Sequence, residues 1–229
     1  MDIQPLICTQ PADYAPIAAI LNAVRPFRTT SAELAGERAR WPEGSIAHLV
    51  AARDEGGRLL GFAEAYRFPN TAAGKFYVNV ATHPASRRQG AGSALLKAIE
   101  RFCDDQGGRR LVGEVSDTDA ESLAWVQRRG YAVKRHAFDS ALDLVGFDEA
   151  AFDGVVEGVV QRGIRFFTLA EAPQALQALY RLYEATMIDI PGYEAQSFMT
   201  FDTWRRVLIE GEGARPDWVF VAADGEQLV

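Results

Sequence analysis

Between Lys75 and Cys103 stand the residues with the most pointed chemistry. Arg87 and Arg88 follow Pro84 and run directly into Gln89-Gly90-Ala91-Gly92-Ser93. Paired guanidinium groups beside closely spaced glycines suit an anion: the arginines bring fixed positive charge, and the glycines let backbone N–H groups approach it. The flanking residues say which elements carry this run. Upstream, Phe76, Val78 and Val80 recur at a period of two; downstream, Leu95, Ile99 and Phe102 recur at helical spacing, opposite Lys97, Glu100, Arg101 and Asp104. A strand thus turns through glycines into a helix, whose first N–H groups and positive dipole end converge on one spot. That spot suits a phosphate.

Spacing narrows the ligand. A Walker loop closes on Gly-Lys-Ser/Thr, whereas Gly92-Ser93-Ala94 has no lysine. The dinucleotide fingerprint needs a third glycine where Leu95 stands. Arg87-x-x-Gly90-x-Gly92, entered from a proline and left through a helix, instead resembles the acetyl-CoA pyrophosphate loop of the GNAT superfamily of N-acetyltransferases. The resemblance implies that loop amides of Arg88, Gln89, Gly90, Ala91, Gly92 and Ser93 hold the pyrophosphate, with Arg87 at the motif's Gln/Arg position. It also implies that the backbone of Val80, Ala81 and Thr82 holds the pantetheine arm and thioester. The activity it implies is acetyl-CoA-dependent N-acetylation, in which a primary amine of a small molecule or peptide attacks the thioester directly.

Such a reaction needs a deprotonated amine, donors for the developing oxyanion and a proton for the leaving thiolate. Two places where members of the superfamily often carry proton-transfer groups are apolar here: Val126 in place of a tyrosine, and Phe76 in place of a glutamate on the central strand. Glu64 and Tyr77 are the catalytic candidates, as base or through a water relay, with Asn79, His83, Glu114 and Ser116 as further polar groups. A second function class, a non-catalytic CoA-binding module acting as sensor or scaffold, needs the same loop and no proton carrier.

Composition excludes other classes. A net charge of −7 over 229 residues argues against nucleic acid as a partner. No apolar run reaches the ~18–20 residues of a membrane span, and Met1-Asp2-Ile3-Gln4-Pro5 lacks a signal peptide's basic start. Two cysteines, Cys8 and Cys103, are too few for a disulfide framework or a metal site; within apolar patterns they read as buried free thiols of a cytoplasmic protein. His83 and His136 are single histidines, so no metal is expected. Trp41, Trp125, Trp204 and Trp218 read as packing anchors. The expected partners are the amine acceptor and a second copy of the chain as a homodimer.

In order, the chain predicts a strand from Ile3 to Thr9, a helix through Ile17, Ile20, Leu21 and Val24, and a second helix capped by Thr29-Thr30-Ser31 with Glu33 in support. The polar side of that helix, Glu33, Glu37, Arg38 and Arg40, reads as solvated. Strands at Ala47–Ala52 and Arg58–Arg67 flank an Asp54–Gly57 hairpin turn. After the glycine loop and its helix come a strand from Arg110 to Ser116 and a helix ending near Arg129, with Tyr131–Val133 and Ser140–Leu144 as closing strands. This order matches a GNAT domain over residues 1–147, an α/β fold with a mixed, twisted sheet and helices on both faces. The charge balance then shifts: 18 Lys and Arg against 17 Asp and Glu up to Phe147, but 6 against 14 from Asp148 onward. Residues 148–163 read as a linker or connecting strand.

Residues 164–229 repeat the beginning. Ile164–Thr168 and a helix over Glu171–Ala185 mirror the opening strand and first helix, Phe201–Glu210 the second helix, and Phe220-Val221-Ala222-Ala223-Asp224 matches Leu49-Val50-Ala51-Ala52-Arg53. Asp189–Tyr193 reads as a turn. The layout resembles tandem, two-domain bacterial acetyltransferases such as mycothiol synthase. It predicts the N-terminal half of a second GNAT-like domain, without its own glycine loop, in a C-terminally shortened form of a longer chain.

Overall fold

Alternating apolar residues build the sheet that carries the site. In the computed structural model, which describes residues 1–138, 140–190, 198–210 and 214–229, five strands form one sheet: β1 Asp2–Pro5, β2 Ile46–Arg53, β3 Leu59–Arg67, β4 Lys75–Thr82 and β5 Arg110–Val112, in that spatial order. β1 through β4 pair antiparallel, and β4 pairs parallel to β5. The sheet is therefore mixed. It lies in a compact unit of Met1–Gly113 with Met187–Ala214; Glu114–Thr186 with Arg215–Val229 form another.

Strand periodicity sends alternate residues to opposite faces. Val50, Ala63, Ala65, Phe76 and Val78 meet Ala91, Leu95, Ile99 and Cys103 of the helix α3, Ala91–Asp105. The four helix residues recur every four positions, which makes one continuous stripe. On the other face Phe62 and Leu49 meet Ile17, Ile20 and Leu21 of α1, Ala15–Val24, with Leu34 and Ala35 of α2, Ser31–Ala39. Helices thus cover both faces, as the sequence predicts.

Local chemistry fixes the ends. The Thr30 hydroxyl accepts from Glu33 N–H at 3.2 Å while the Glu33 carboxylate accepts from Thr30 N–H at 2.7 Å, a reciprocal cap that starts α2. Such caps contribute about 1 kcal/mol. At Gly61 a Cβ would sit 2.6 Å from the Ala81 carbonyl oxygen, so β3 approaches β4 as closely as it does only because no side chain intervenes.

Several boundaries differ from expectation. β1 ends at Pro5; Asp13 then draws the next residues into a loop by accepting from the N–H groups of Thr9 (2.8 Å) and Gln10 (3.0 Å). These bonds hold the Asp13 carboxyl below its ordinary pKa. β5 stops at Val112, three residues into its predicted run. Tyr131–Val133 and Ser140–Leu144 form no strand; Tyr131 N–H instead closes the preceding helix by donating to Val126 O at 3.3 Å.

The second unit holds α4 (Ala120–Gln127), α5 (Val155–Gln161), β6 (Ile164–Thr168), α6 (Leu176–Met187), whose last residue belongs to the first unit, β7 (Phe220–Asp224) and β8 (Gln227–Leu228). β6, β7 and β8 form an antiparallel sheet in that order. Its register repeats the first: Asp2↔Arg53 to Pro5↔Val50 corresponds to Ile164↔Asp224 to Phe167↔Val221. The predicted helix over Phe201–Glu210 is α7, Phe201–Trp204, running into a π-helical turn at Arg205–Ile209. Of the predicted Asp189–Tyr193 turn, residues 191–193 lie outside the described residues.

Candidate functional site

At the end of β4 the chain makes the expected turn. His83 N–H donates to Leu60 O at 2.9 Å, and a 3₁₀ turn over Pro84–Ser86 follows, with Ser86 buried and its N–H donating to His83 O at 2.8 Å. His83 itself is a cap: its Nδ1 accepts from Ala85 N–H at 3.3 Å. Arg87 is extended, Arg88 has φ +63° and Gly90 has φ +84°. Two left-handed residues so close together make a tight turn into α3, the kind of turn in which successive backbone N–H groups can serve an anion. Gly90 is the N-cap of α3 and offers no side chain to the helix; the first intrahelical bond runs from Ala94 N–H to Gly90 O at 3.0 Å. The amides of Ala91, Gly92 and Ser93 therefore precede the helical ladder. Fifteen residues of α3 align their dipoles behind them.

The strand leading to this loop has an open edge. β4 pairs with β5 from Lys75↔Arg110 to Tyr77↔Val112, then continues to Thr82. At Gly113 a Cβ would meet Val78 O at 2.8 Å, so the two backbones are still in close contact one residue past the last paired position. Val80, Ala81 and Thr82 pair with Ala63, Phe62 and Gly61 of β3 on one side. On the other they have no strand partner among the described residues. Loop, helix start and open edge all adjoin the C-terminal end of β4.

Glu64 and Tyr77 share the α1–α2 face. Glu64 lies across from Asn79, and Tyr66 across from Tyr77, which it stacks upon at 5.4 Å between ring centroids. The Lys75 ammonium sits 4.7 Å over the Tyr77 ring. Glu64 forms an ion pair with Arg38 of α2; their side chains are 13% and 27% exposed. The Arg38 guanidinium lies 3.8 Å over Trp41, whose ring is 4.9 Å from that of Tyr66. Tyr14, buried beneath α2, has its pKa raised by burial, with Arg38 pulling the other way. Arg38 is thus no solvated charge, which corrects the expectation for the polar side of α2. Leu34 and Ala35 of the same helix are only partly buried, and the partner that takes Arg38 out of solvent, Glu64, lies on a distant strand.

The remaining candidates are placed as follows. Phe76 is fully buried on the α3 face and Val126 is half-buried in α4; Glu114 and Ser116 are exposed in the second unit. Cys103 is buried, and burial pushes its thiol up to about 11; Cys8 is only half-buried, not fully as expected. Trp204 is buried, but Trp125 is half-exposed beneath Arg129, and Trp218 is 67% exposed, so neither is a core anchor. His136 pairs with Asp117 at 3.0 Å on the surface. Among the described residues no three His, Cys, Asp or Glu side chains stand together as metal ligands, and no helix is long and apolar enough to cross a membrane.

Comparison with known proteins matches the sequence to one family. The model of the acetyltransferase (GNAT) family matches residues 17–131. A mycothiol acetyltransferase of Kineococcus radiotolerans is 30% identical over 135 residues, a match that covers 58% of this chain and 43% of that protein. The chain accordingly spans less than half the length of that relative. Similar solved structures include a putative acetyl transferase from Pyrococcus furiosus (TM-score 0.49, 19% identity, 62% of this chain and 99% of that one). Another is the ribosomal-protein-S18-alanine N-acetyltransferase of Escherichia coli (TM-score 0.43, 19% identity, 56% of this chain and 76% of that one). Half of the sequence, including β4 and the whole glycine loop, falls within the family model: the chain belongs to the acetyltransferase (GNAT) family.

Proposed function

We propose that the chain is an acetyl-CoA-dependent N-acetyltransferase acting on a primary amine of a small molecule or peptide. The observation that carries the reading is the left-handed Arg88 and Gly90 at the start of α3, beside a stretch of β4 that pairs with β3 on one edge and has no strand on the other among the described residues. In this reading the amides of Arg88, Gln89, Gly90, Ala91, Gly92 and Ser93 bind the pyrophosphate, and Arg87 adds charge. The free edge of Val80, Ala81 and Thr82 takes the amide groups of the pantetheine arm as a short added strand would, and a β4 N–H polarises the thioester carbonyl. Glu64, one strand away, accepts the amine's proton directly or through water, and Tyr77 orders that water. The two free thiols suit a reducing compartment such as the cytoplasm. The matching registers of β1–β2 and β6–β7 support reading residues 164–229 as the start of a second copy of the fold in a tandem protein.

Thiol release from acetyl-CoA, followed in the presence of a panel of small amines and short peptides, tests the activity. The expected result is amine-dependent release with a matching N-acetyl product by mass spectrometry. Binding of acetyl-CoA without transfer to any amine supports the second reading, a CoA-dependent sensor or scaffold; that reading is favoured by one observation, the fully buried Phe76 at the place of a basic glutamate.

A further inference from the structure

We propose that the acceptor carries a carboxylate next to its reactive amine: Arg38 binds that carboxylate, and Glu64, released from Arg38, takes the amine's proton. This names the substrate class of the site above and rests on the acetyl-transfer reading.

Position comes first. Directly paired residues of neighbouring strands have Cβ atoms about 5 Å apart. Glu64 therefore stands beside Asn79, on the strand assigned to the thioester. Tyr66 and Tyr77 continue the same face, and Trp41 closes it from the end of α2. All five side chains are half-buried, so the surface is open to a small molecule yet partly shielded from water.

The chemistry then poses a conflict that the acceptor resolves. A carboxylate already compensated by a guanidinium has little to gain from a proton, so the paired Glu64 is a poor base. Arg38, by contrast, does not need Glu64 to hold its place. Its plane rests on Trp41 at 3.8 Å, and Tyr14 lies against it from below. A guanidinium fixed by stacking keeps its fork of donors aimed at whichever carboxylate is present. A carboxylate on the acceptor can take over that fork. Glu64 then loses a cation and gains the adjacent ammonium in its place. An amine without a carboxylate leaves the Arg38–Glu64 pair closed. The ring faces of Tyr66 and Tyr77 beside the pair suit an apolar side chain, so an amino acid fits the surface as a whole.

The protons balance. The ammonium gives one proton to Glu64, and the neutral nitrogen bonds to the thioester carbonyl carbon. The C–S bond breaks and CoA leaves as its thiolate. The nitrogen's second proton passes to the thiolate, and Glu64 returns its proton to solvent.

The test uses the full chain with acetyl-CoA and three families of acceptor: L-leucine, L-phenylalanine and glycine, each beside its amide and its decarboxylated amine. The amides have the less basic nitrogen, so a preference for the free acids cannot come from easier deprotonation. Expected for the wild type is a kcat/KM roughly 10- to 100-fold higher for at least one amino acid than for its amide or amine. Arg38→Ala should remove that preference, bringing kcat/KM for the free acids to the level of their amides and amines. Acetylation of all three forms alike, or a loss in Arg38→Ala that is equal for acids and amines, overturns the inference while acetyl transfer stands. Failure to acetylate any of the nine acceptors overturns the inference; calorimetry with acetyl-CoA then shows whether donor binding has failed too. The wild-type comparison decides the matter even if Arg38→Ala does not fold.

Discussion

Gly90→Val is expected to weaken acetyl-CoA binding by roughly a hundredfold or more, the loss of two charge-assisted hydrogen bonds, with the fold retained. Beyond its two chain neighbours, nothing lies within 4 Å of a Cβ placed at Gly90, so crowding does not oppose the change. The backbone does. At φ +84° a residue with a Cβ costs about 1–2 kcal/mol, and β-branching adds to this. The chain relieves the strain by rotating the peptides on either side of residue 90, which turns the amides away from the anion. A fall of only a few degrees in Tm should accompany the lost binding, because α3 keeps its buried stripe. Gly90→Asn is the control: asparagine enters the left-handed region most readily after glycine, and it should keep most of the affinity. Calorimetric titration of both variants checks the pair; equal, unchanged affinities would show that the anion lies elsewhere.

Phe76→Glu is expected to destabilise the protein by about 3 kcal/mol or more and to add no activity. The side chain is fully buried among Val78, Leu95, Ile99 and Cys103, with Phe102 packed edge-on at 6.2 Å. A glutamate there exchanges that packing for a carboxylate under α3. The Arg67 guanidinium, 5.2 Å above the ring, can offset part of the charge but none of the lost volume. Strand alternation also puts residue 76 on the face opposite Glu64 and Asn79, so a restored glutamate points away from the proposed acceptor. Urea unfolding and CoA-release assays give the two readouts. A faster variant would mean that the amine approaches through the α3 face, against the arrangement proposed above.

Much of this was legible in the sequence because the signals were local and periodic. Phe76, Val78 and Val80 at a period of two and Leu95, Ile99 and Phe102 at helical spacing each encode one element, and Gly90 marks the turn between them. Arg88 was legible as charge but not as backbone: a non-glycine residue at φ +63° has no composition cue. Strand ends were lost where a single acceptor, side-chain or main-chain, redirected the backbone. Asp13 captures two amides that an extension of β1 to Thr9 would leave out, and Val126 O captures the amide of Tyr131. Arg38 was missed for a different reason. A cation on a capped, amphipathic helix is solvated unless something from a distant segment meets it, and the partner, Glu64, is twenty-six residues away on a strand. Pairing across that distance depends on how α2 lies over β3, which spacing within either element does not encode.

Hydrogen exchange of the full chain, with and without acetyl-CoA, tests the central claim most directly. The account predicts that the ligand slows exchange at the amides of Arg88 to Ala94 and along Val80–Thr82, with β1 and β2 unchanged. Protection confined to other segments, or none at saturating acetyl-CoA, would contradict it.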